Sequence, residues 1–197
     1  MLVVMNPFSQ MLFLRELYNK LDFRIFLSVQ LKATFYTFLI FFTFALVGEP
    51  ILTNFFQVRI ESLRIFGGLV NLYIAYRYIT EGEGKVILFH GDLSELAANI
   101  TMPYMVGPGL IWISIMIGES YAAYTACGII VAVLAINSFF VMFGYYVFSR
   151  SEGRRESLFA KELAMLMRIM ALFIGAIGVE MLLGGLEAFY RNAMVAH

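Results

Sequence analysis

Residues 121–148 read YAAYTACGIIVAVLAINSFFVMFGYYVF without one charged side chain. The run is about 28 residues long, and a helix needs only about 20 apolar residues to cross a hydrocarbon layer roughly 30 Å thick. It does not alternate every second residue, and lipid leaves backbone groups no partner outside a helix or a closed barrel, so it is read as a helix. Its length requires it to tilt or project. Working outward, five more apolar stretches stand at 1–14, 33–56, 63–79, 100–117 and 169–186, the second with a break near Gly48 and Pro50. The first is short, since 14 residues of helix rise only about 21 Å.

Six such spans use about 120 of the residues and leave only short loops. The composition agrees, with 61% hydrophobic and 14% charged residues in a chain of 197. The fold expected is an all-α membrane protein, one integral membrane domain over 1–197. Lysine plus arginine equal aspartate plus glutamate at 14 each, so no net charge draws the chain to nucleic acid. Cys127 is the only cysteine, which excludes an intrachain disulfide and a thiolate metal cage. The opening MLVVMNPF has neither a basic flank nor a small-residue cleavage site, so the first segment is expected to stay in the protein.

Charge placement gives an orientation. Arg15, Lys20, Arg24 and Lys32 follow the first stretch, Arg77 and Lys85 the third, and Arg150, Arg154, Arg155, Lys161 and Arg168 the fifth. The opposite side holds only Arg59, Arg64 and Arg191. The positive-inside rule then puts the basic loops in the cytoplasm and has both termini face outward.

The six stretches divide into three and three with an internal echo. Met5-Asn6-Pro7-Phe8 in the first resembles Thr101-Met102-Pro103-Tyr104 in the fourth, and Leu63-Arg64-Ile65-Phe66-Gly67 resembles Met167-Arg168-Ile169-Met170-Ala171. The expectation is two inverted three-helix repeats, one over about 1–80 and one over about 100–190, joined by a cytoplasmic loop at about 80–99. Proline removes an N–H and clashes with the preceding turn, so helices 1 and 4 are expected to be broken at Pro7 and Pro103, with a second interruption at Gly107-Pro108-Gly109. Freed carbonyls and helix N-termini at matching breaks near the midplane suit a small dipolar solute. The alternative is a pair of packing kinks.

These residues resemble the MarC family, a six-helix group of neutral amino acid transporters within the LysE-type exporter superfamily. The resemblance covers nearly the whole chain and rests on Asn6-Pro7-Phe8, Gly48-Glu49-Pro50-Ile51-Leu52, Leu63 to Leu69, Met102-Pro103 with Gly107-Pro108-Gly109, and Arg168-Ile169-Met170. It implies a multi-pass plasma-membrane protein carrying small neutral amino acids such as glycine and alanine. Where the resemblance implies an uncharged polar residue in the last span, this chain has Glu180.

The candidate substrate-binding residues are Asn6, Pro7, Phe8, Ser9, Asn71, Thr101, Met102, Pro103, Gly107, Pro108 and Gly109. Glu180 is the candidate for ion coupling, because an acid in mid-span is costly and commonly functional; a buried hydrogen bond or an ion pair is the alternative. Ser9 and Thr101 either cap freed carbonyls or touch substrate, and Asn71 either joins helices or touches substrate. Gly67, Asn71 and Ala75, like Ala171 and Gly175, form small-residue stripes that suit close helix packing. Glu49 reads as an interfacial carboxylate that Arg64 either pairs with or leaves by snorkelling. Trp112 and the tyrosines 73, 76, 78, 145 and 146 fit an interfacial belt. His90 and Asp92, with Glu81, Glu83 and Glu95, match no metal-ligand spacing and read as a solvated loop.

The leading expectation is a secondary transporter of small neutral amino acids, coupled to protons or sodium, with the lipid bilayer as its surround and no cofactor. No glycine-rich Gly-Lys-Ser/Thr loop is present for nucleotide hydrolysis. A thiol relay needs two cysteines, and an intramembrane enzyme needs a nucleophile with a base or paired acids, none of which is found. An exporter of another small solute or of a metal ion, and a non-transporting scaffold, are the other readings. The sequence leaves the oligomeric state open, a homo-oligomer included.

Overall fold

The computed structural model describes residues 1–80, 96–98, 100–150 and 154–195, and the regular structure among them is helical. Three short helices, α1 (Leu2–Met5), α2 (Pro7–Phe13) and α3 (Arg15–Lys20), lead into α4 (Phe23–Pro50), which ends in a wide turn at Ile51–Phe55. After α5 (Ile60–Thr80) a second wide turn, Ile100–Met105, precedes α6 (Pro108–Ser120), α7 (Ala123–Arg150) and α8 (Arg154–Val195). Three stretches among the described residues, Phe23–Phe55, Ala123–Arg150 and Arg155–Asn192, are long and apolar enough to cross a membrane.

The helices outrun the apolar stretches that announce them. Helix α4 begins at Phe23 instead of residue 33, because Arg24 and Lys32 are exposed cations that end a hydropathic run without ending a helix. Helix α8 likewise overshoots 169–186 at both ends. The stretches 1–14 and 100–117 are each interrupted: Asn6 adopts a left-handed conformation (φ 46°, ψ 77°), while Met102 (φ −118°, ψ 125°) and Gly107 (φ −139°, ψ 164°) are extended. The break expected near Gly48 and Pro50 is a kink at Val47, whose φ of −136° and ψ of 16° leave the helical region.

Small residues decide how closely these helices pack. The most extensive interface joins α5 to α8. A Cβ on Gly68 would meet the carbonyl oxygen of Gly178 at 2.7 Å, and one on Gly178 would meet that of Gly68 at 2.9 Å, so the two backbones are in direct contact. Buried Ala75 and Ala171 continue the seam. Of the expected stripes, Ala75 and Gly175 meet here, while the tightest contact falls on Gly68 and Gly178 outside them. Helix α4 crosses α6 in the same manner, with Gly48 under Ile115 and Gly118 against the carbonyl of Ala45.

Helices α4 and α7 form the other frame. Each has 28 residues, and they run antiparallel: Phe26 stacks on Tyr145 at 5.0 Å near one end, and Thr34 Oγ1 lies 3.0 Å from Ser138 Oγ further along. Their buried positions share one rhythm, Phe26, Gln30, Thr37, Phe41 and Gly48 on α4 matching Ala126, Ile130, Asn137, Val141 and Phe148 on α7. Extended Leu21 and Tyr121 precede the two helices in equivalent places. At the end where Tyr18 packs on Phe26, Tyr145 and Phe148, Arg15 Nη2 bridges to Glu156 Oε1 at 2.7 Å and ties α3 to the start of α8.

The backbone contact makes Gly178 intolerant of a side chain, whereas a Cβ on Gly128 would meet nothing within 4 Å. Gly178→Ala is expected to destabilise the protein by about 1–3 kcal/mol. Gly128→Ala is expected to be neutral or slightly stabilising. Thermal unfolding of the two purified variants in detergent checks this contrast.

Candidate functional site

The first break is built from Asn6-Pro7. Proline at the first helical position has no N–H to lose and keeps the residue before it out of the right-handed helical region. Asparagine is among the few residues besides glycine that enter the left-handed region readily. Asn6 Oδ1 accepts from the Ser9 N–H at 3.2 Å, and Ser9 Oγ donates to the Asn6 carbonyl at 2.8 Å. Gln10 Nε2 donates to the Met5 carbonyl at 3.0 Å. The Met5 and Asn6 carbonyls opened by the turn are therefore taken up by the next turn of the chain.

This turn sits among the long helices. Helix α1 touches α6, α7 and α8. Asn137 Nδ2 on α7 donates to Gln10 Oε1 at 2.9 Å, Tyr78 OH on α5 donates to Ser9 Oγ at 3.3 Å, and the Phe8 ring meets Phe140 edge-on at 5.5 Å.

The second break has different chemistry. Thr101 Oγ1 donates to the Ala97 carbonyl at 2.8 Å and lies 3.3 Å from that of Ala33, while Thr37 Oγ1 donates to the same Ala33 carbonyl at 2.8 Å. Both Ser9 and Thr101 thus hold main-chain carbonyls. Gly107 and Pro108 open α6, whose N-terminus has no side-chain cap. Asn71 packs on that N-terminus, since a Cβ on Gly109 would meet its Nδ2 at 2.6 Å, and Asn71 Nδ2 reaches Met181 Sδ at 3.4 Å. Met102 is exposed. Pro103 follows extended Met102 within the wide turn, and Pro108 follows extended Gly107 as the first residue of α6, as Pro7 is the first residue of α2.

The other singled-out residues fall outside this centre. Glu180 is on the exposed side of α8 and is not brought to the Asn6–Gln10–Asn137 network. Arg64 stacks over Trp112 at 4.8 Å and fits against Gly184 of α8, in place of an ion pair with Glu49. Past the apolar part of α6, partial burial and then the charge of Glu49 hold the Glu119 carboxyl above the usual carboxylate range. His90, Asp92, Glu81, Glu83 and Glu95 lie outside the described residues.

Sequence reasoning passed over Gln10, Gln30 and Asn137, all buried. The available signal was a carboxamide within an apolar run at helical spacing. Gln30 was hidden because it precedes the expected start of its span. Replacing Gln10 with Leu strips partners from both the Met5 carbonyl and the Asn137 amide. Gln10→Leu is expected to destabilise the protein by about 1–3 kcal/mol for each buried group orphaned, read as a lower thermal midpoint of the purified chain.

The family model described as MarC family integral membrane protein matches residues 1–190. Similar proteins include a UPF0056 membrane protein of Pyrococcus horikoshii, 24% identical over 193 residues, with 98% of this chain and 92% of that protein covered. The UPF0056 membrane protein YvbG of Bacillus subtilis is 28% identical over 173 residues, covering 83% of this chain and 79% of its own. A UPF0056 membrane protein of Aquifex aeolicus is 24% identical over 205 residues, covering 98% and 91%. No solved structure matches the chain. With a family model spanning nearly its full length and relatives aligned along both halves, the chain belongs to the MarC family of integral membrane proteins.

Proposed function

We propose that the protein is a secondary transporter that moves small neutral amino acids, glycine and alanine among them, across the plasma membrane by alternating access. The observation that carries this reading is the charge of the interior. The fully buried polar residues among the described ones are Asn6, Ser9, Gln10, Gln30, Thr37, Asn71, Thr101, Ser114 and Asn137, and every one is neutral; the half-buried Arg64, whose Nε is also buried, stacks on Trp112. A solute with net charge would lose its hydration there without gaining a counter-charge. A zwitterion carries its own compensation, with amide N–H groups and the uncapped start of α6 for the carboxylate, and amide or carbonyl oxygens for the ammonium.

The proposal includes six crossings arranged as two inverted three-helix repeats. It is supported by the matched lengths and burial rhythm of α4 and α7, by their antiparallel course, and by helices that resume on Pro7 and Pro108 after breaks. Both termini are then outside, and the Arg15–Glu156 bridge supports a common cytoplasmic end for two of the basic loops. Transport is driven by a proton or sodium gradient. Glu180 carries the coupling proton on the exposed side of α8, apart from the solute.

Reconstitution into liposomes tests the reading. Labelled glycine and alanine are expected to enter under an imposed proton or sodium gradient, and lysine and aspartate to be excluded. Uptake of the charged amino acids at the rate of alanine contradicts the neutral-interior argument. Glu180→Gln is expected to abolish proton-driven accumulation while sparing exchange of labelled for unlabelled alanine; unchanged accumulation removes Glu180 from the coupling scheme.

A further inference from the structure

Three carboxamides in the interior hold groups that nothing in the fold satisfies. Gln30 is 1% exposed, and neither its Nε2 nor its Oε1 has a hydrogen-bond partner. Asn137 is fully buried; its Nδ2 is held by Gln10, and its Oδ1 has no partner. Asn6 Nδ2, on the turn that Gln10 supports through the Met5 carbonyl, is also without one. Burying such groups unmatched costs stability, so a chain that keeps them holds them for a ligand or for ordered water.

Their placement follows from the helix register. The Thr34–Ser138 contact sets α4 against α7; Gln30 is one turn from Thr34, and Asn137 adjoins Ser138. Asn137 is in turn joined through Gln10 to the Asn6 turn. Two open donors, Asn6 Nδ2 and Gln30 Nε2, and two open acceptors, Gln30 Oε1 and Asn137 Oδ1, thus lie on the Asn6 turn, on α7, which packs on it, and on α4, which packs on α7. None of them is charged.

We infer that Gln30 on α4 and Asn137 on α7 complete the solute site at the Asn6 break and select a small solute with donor and acceptor groups but no net charge. This rests on the transport reading. Gln30 supplies specificity because it alone offers both an open donor and an open acceptor, so it serves the carboxylate or the ammonium of a zwitterion. Asn137, anchored by Gln10, is the fixed acceptor on α7.

The test uses the purified full chain in detergent, with thermal unfolding followed by a thiol-reactive dye on Cys127, the half-buried lone cysteine. Alanine and glycine are expected to raise the wild-type midpoint, and lysine and aspartate to leave it unchanged. Gln30→Leu removes both open groups. It is expected to keep or raise the solute-free midpoint, to abolish the alanine response, and to cut alanine uptake in liposomes by about tenfold or more, the factor one lost interaction commonly supplies. Gln30→Met carries the same expectations if the leucine variant does not fold. A wild-type alanine response in the folded variant overturns the inference, as does a solute-free midpoint that falls in both variants, which would make Gln30 a structural amide. If the wild type neither responds to nor transports any of the four amino acids, the transport reading falls and this inference falls with it.

Discussion

A turn that interrupts a helix inside a packed interior exposes backbone groups that water cannot reach, so the chain itself must satisfy them or leave them to a ligand. The Asn6–Pro7 turn meets that requirement locally. Asn6 adopts the left-handed conformation and accepts from the Ser9 N–H, Ser9 covers the Asn6 carbonyl, and Gln10 covers that of Met5. The dependence then spreads outward, for Gln10 engages Asn137 and Ser9 engages Tyr78, which ties the turn to α7 and α5. The break is thus held open by a network that leaves amide side chains, not carbonyls, as the unsatisfied groups.

Around this turn the long helices use two kinds of contact. Helices α5 and α8 approach backbone to backbone through Gly68 and Gly178, a rigid join with no room for rearrangement of side chains. Helices α4 and α7 meet instead through aromatic stacking at one end and the Thr34–Ser138 hydroxyl pair further along. The stiff pair and the side-chain-mediated pair give the alternating-access proposal two bodies of unequal character, with the broken helix packed among them.

Much of this architecture was legible in the residues. The uncharged run at 121–148 marked α7 within two residues at each end, and the motifs around Pro7, Pro103 and Gly107-Pro108 located the departures from helix at Asn6, Met102 and Gly107. What escaped did so for identifiable reasons. Hydropathy ends at a cation, but a helix does not, so Lys32 and Arg24 concealed the first turns of α4 and with them Gln30. The exposure of Glu180 and the stacking of Arg64 on Trp112 depend on how three helices rotate against one another, which periodicity in weakly amphipathic membrane segments does not encode.

The central claim is that the Asn6 turn borders a space that a small solute reaches from water. Ser9→Cys in a Cys127→Ser background places one near-isosteric thiol in that turn, and its reaction with a membrane-impermeant thiol reagent in proteoliposomes reads the claim directly. Labelling that is slowed by alanine and not by lysine is the predicted result. A thiol that stays unreactive from both faces of the membrane, in a protein shown to be folded, would contradict it.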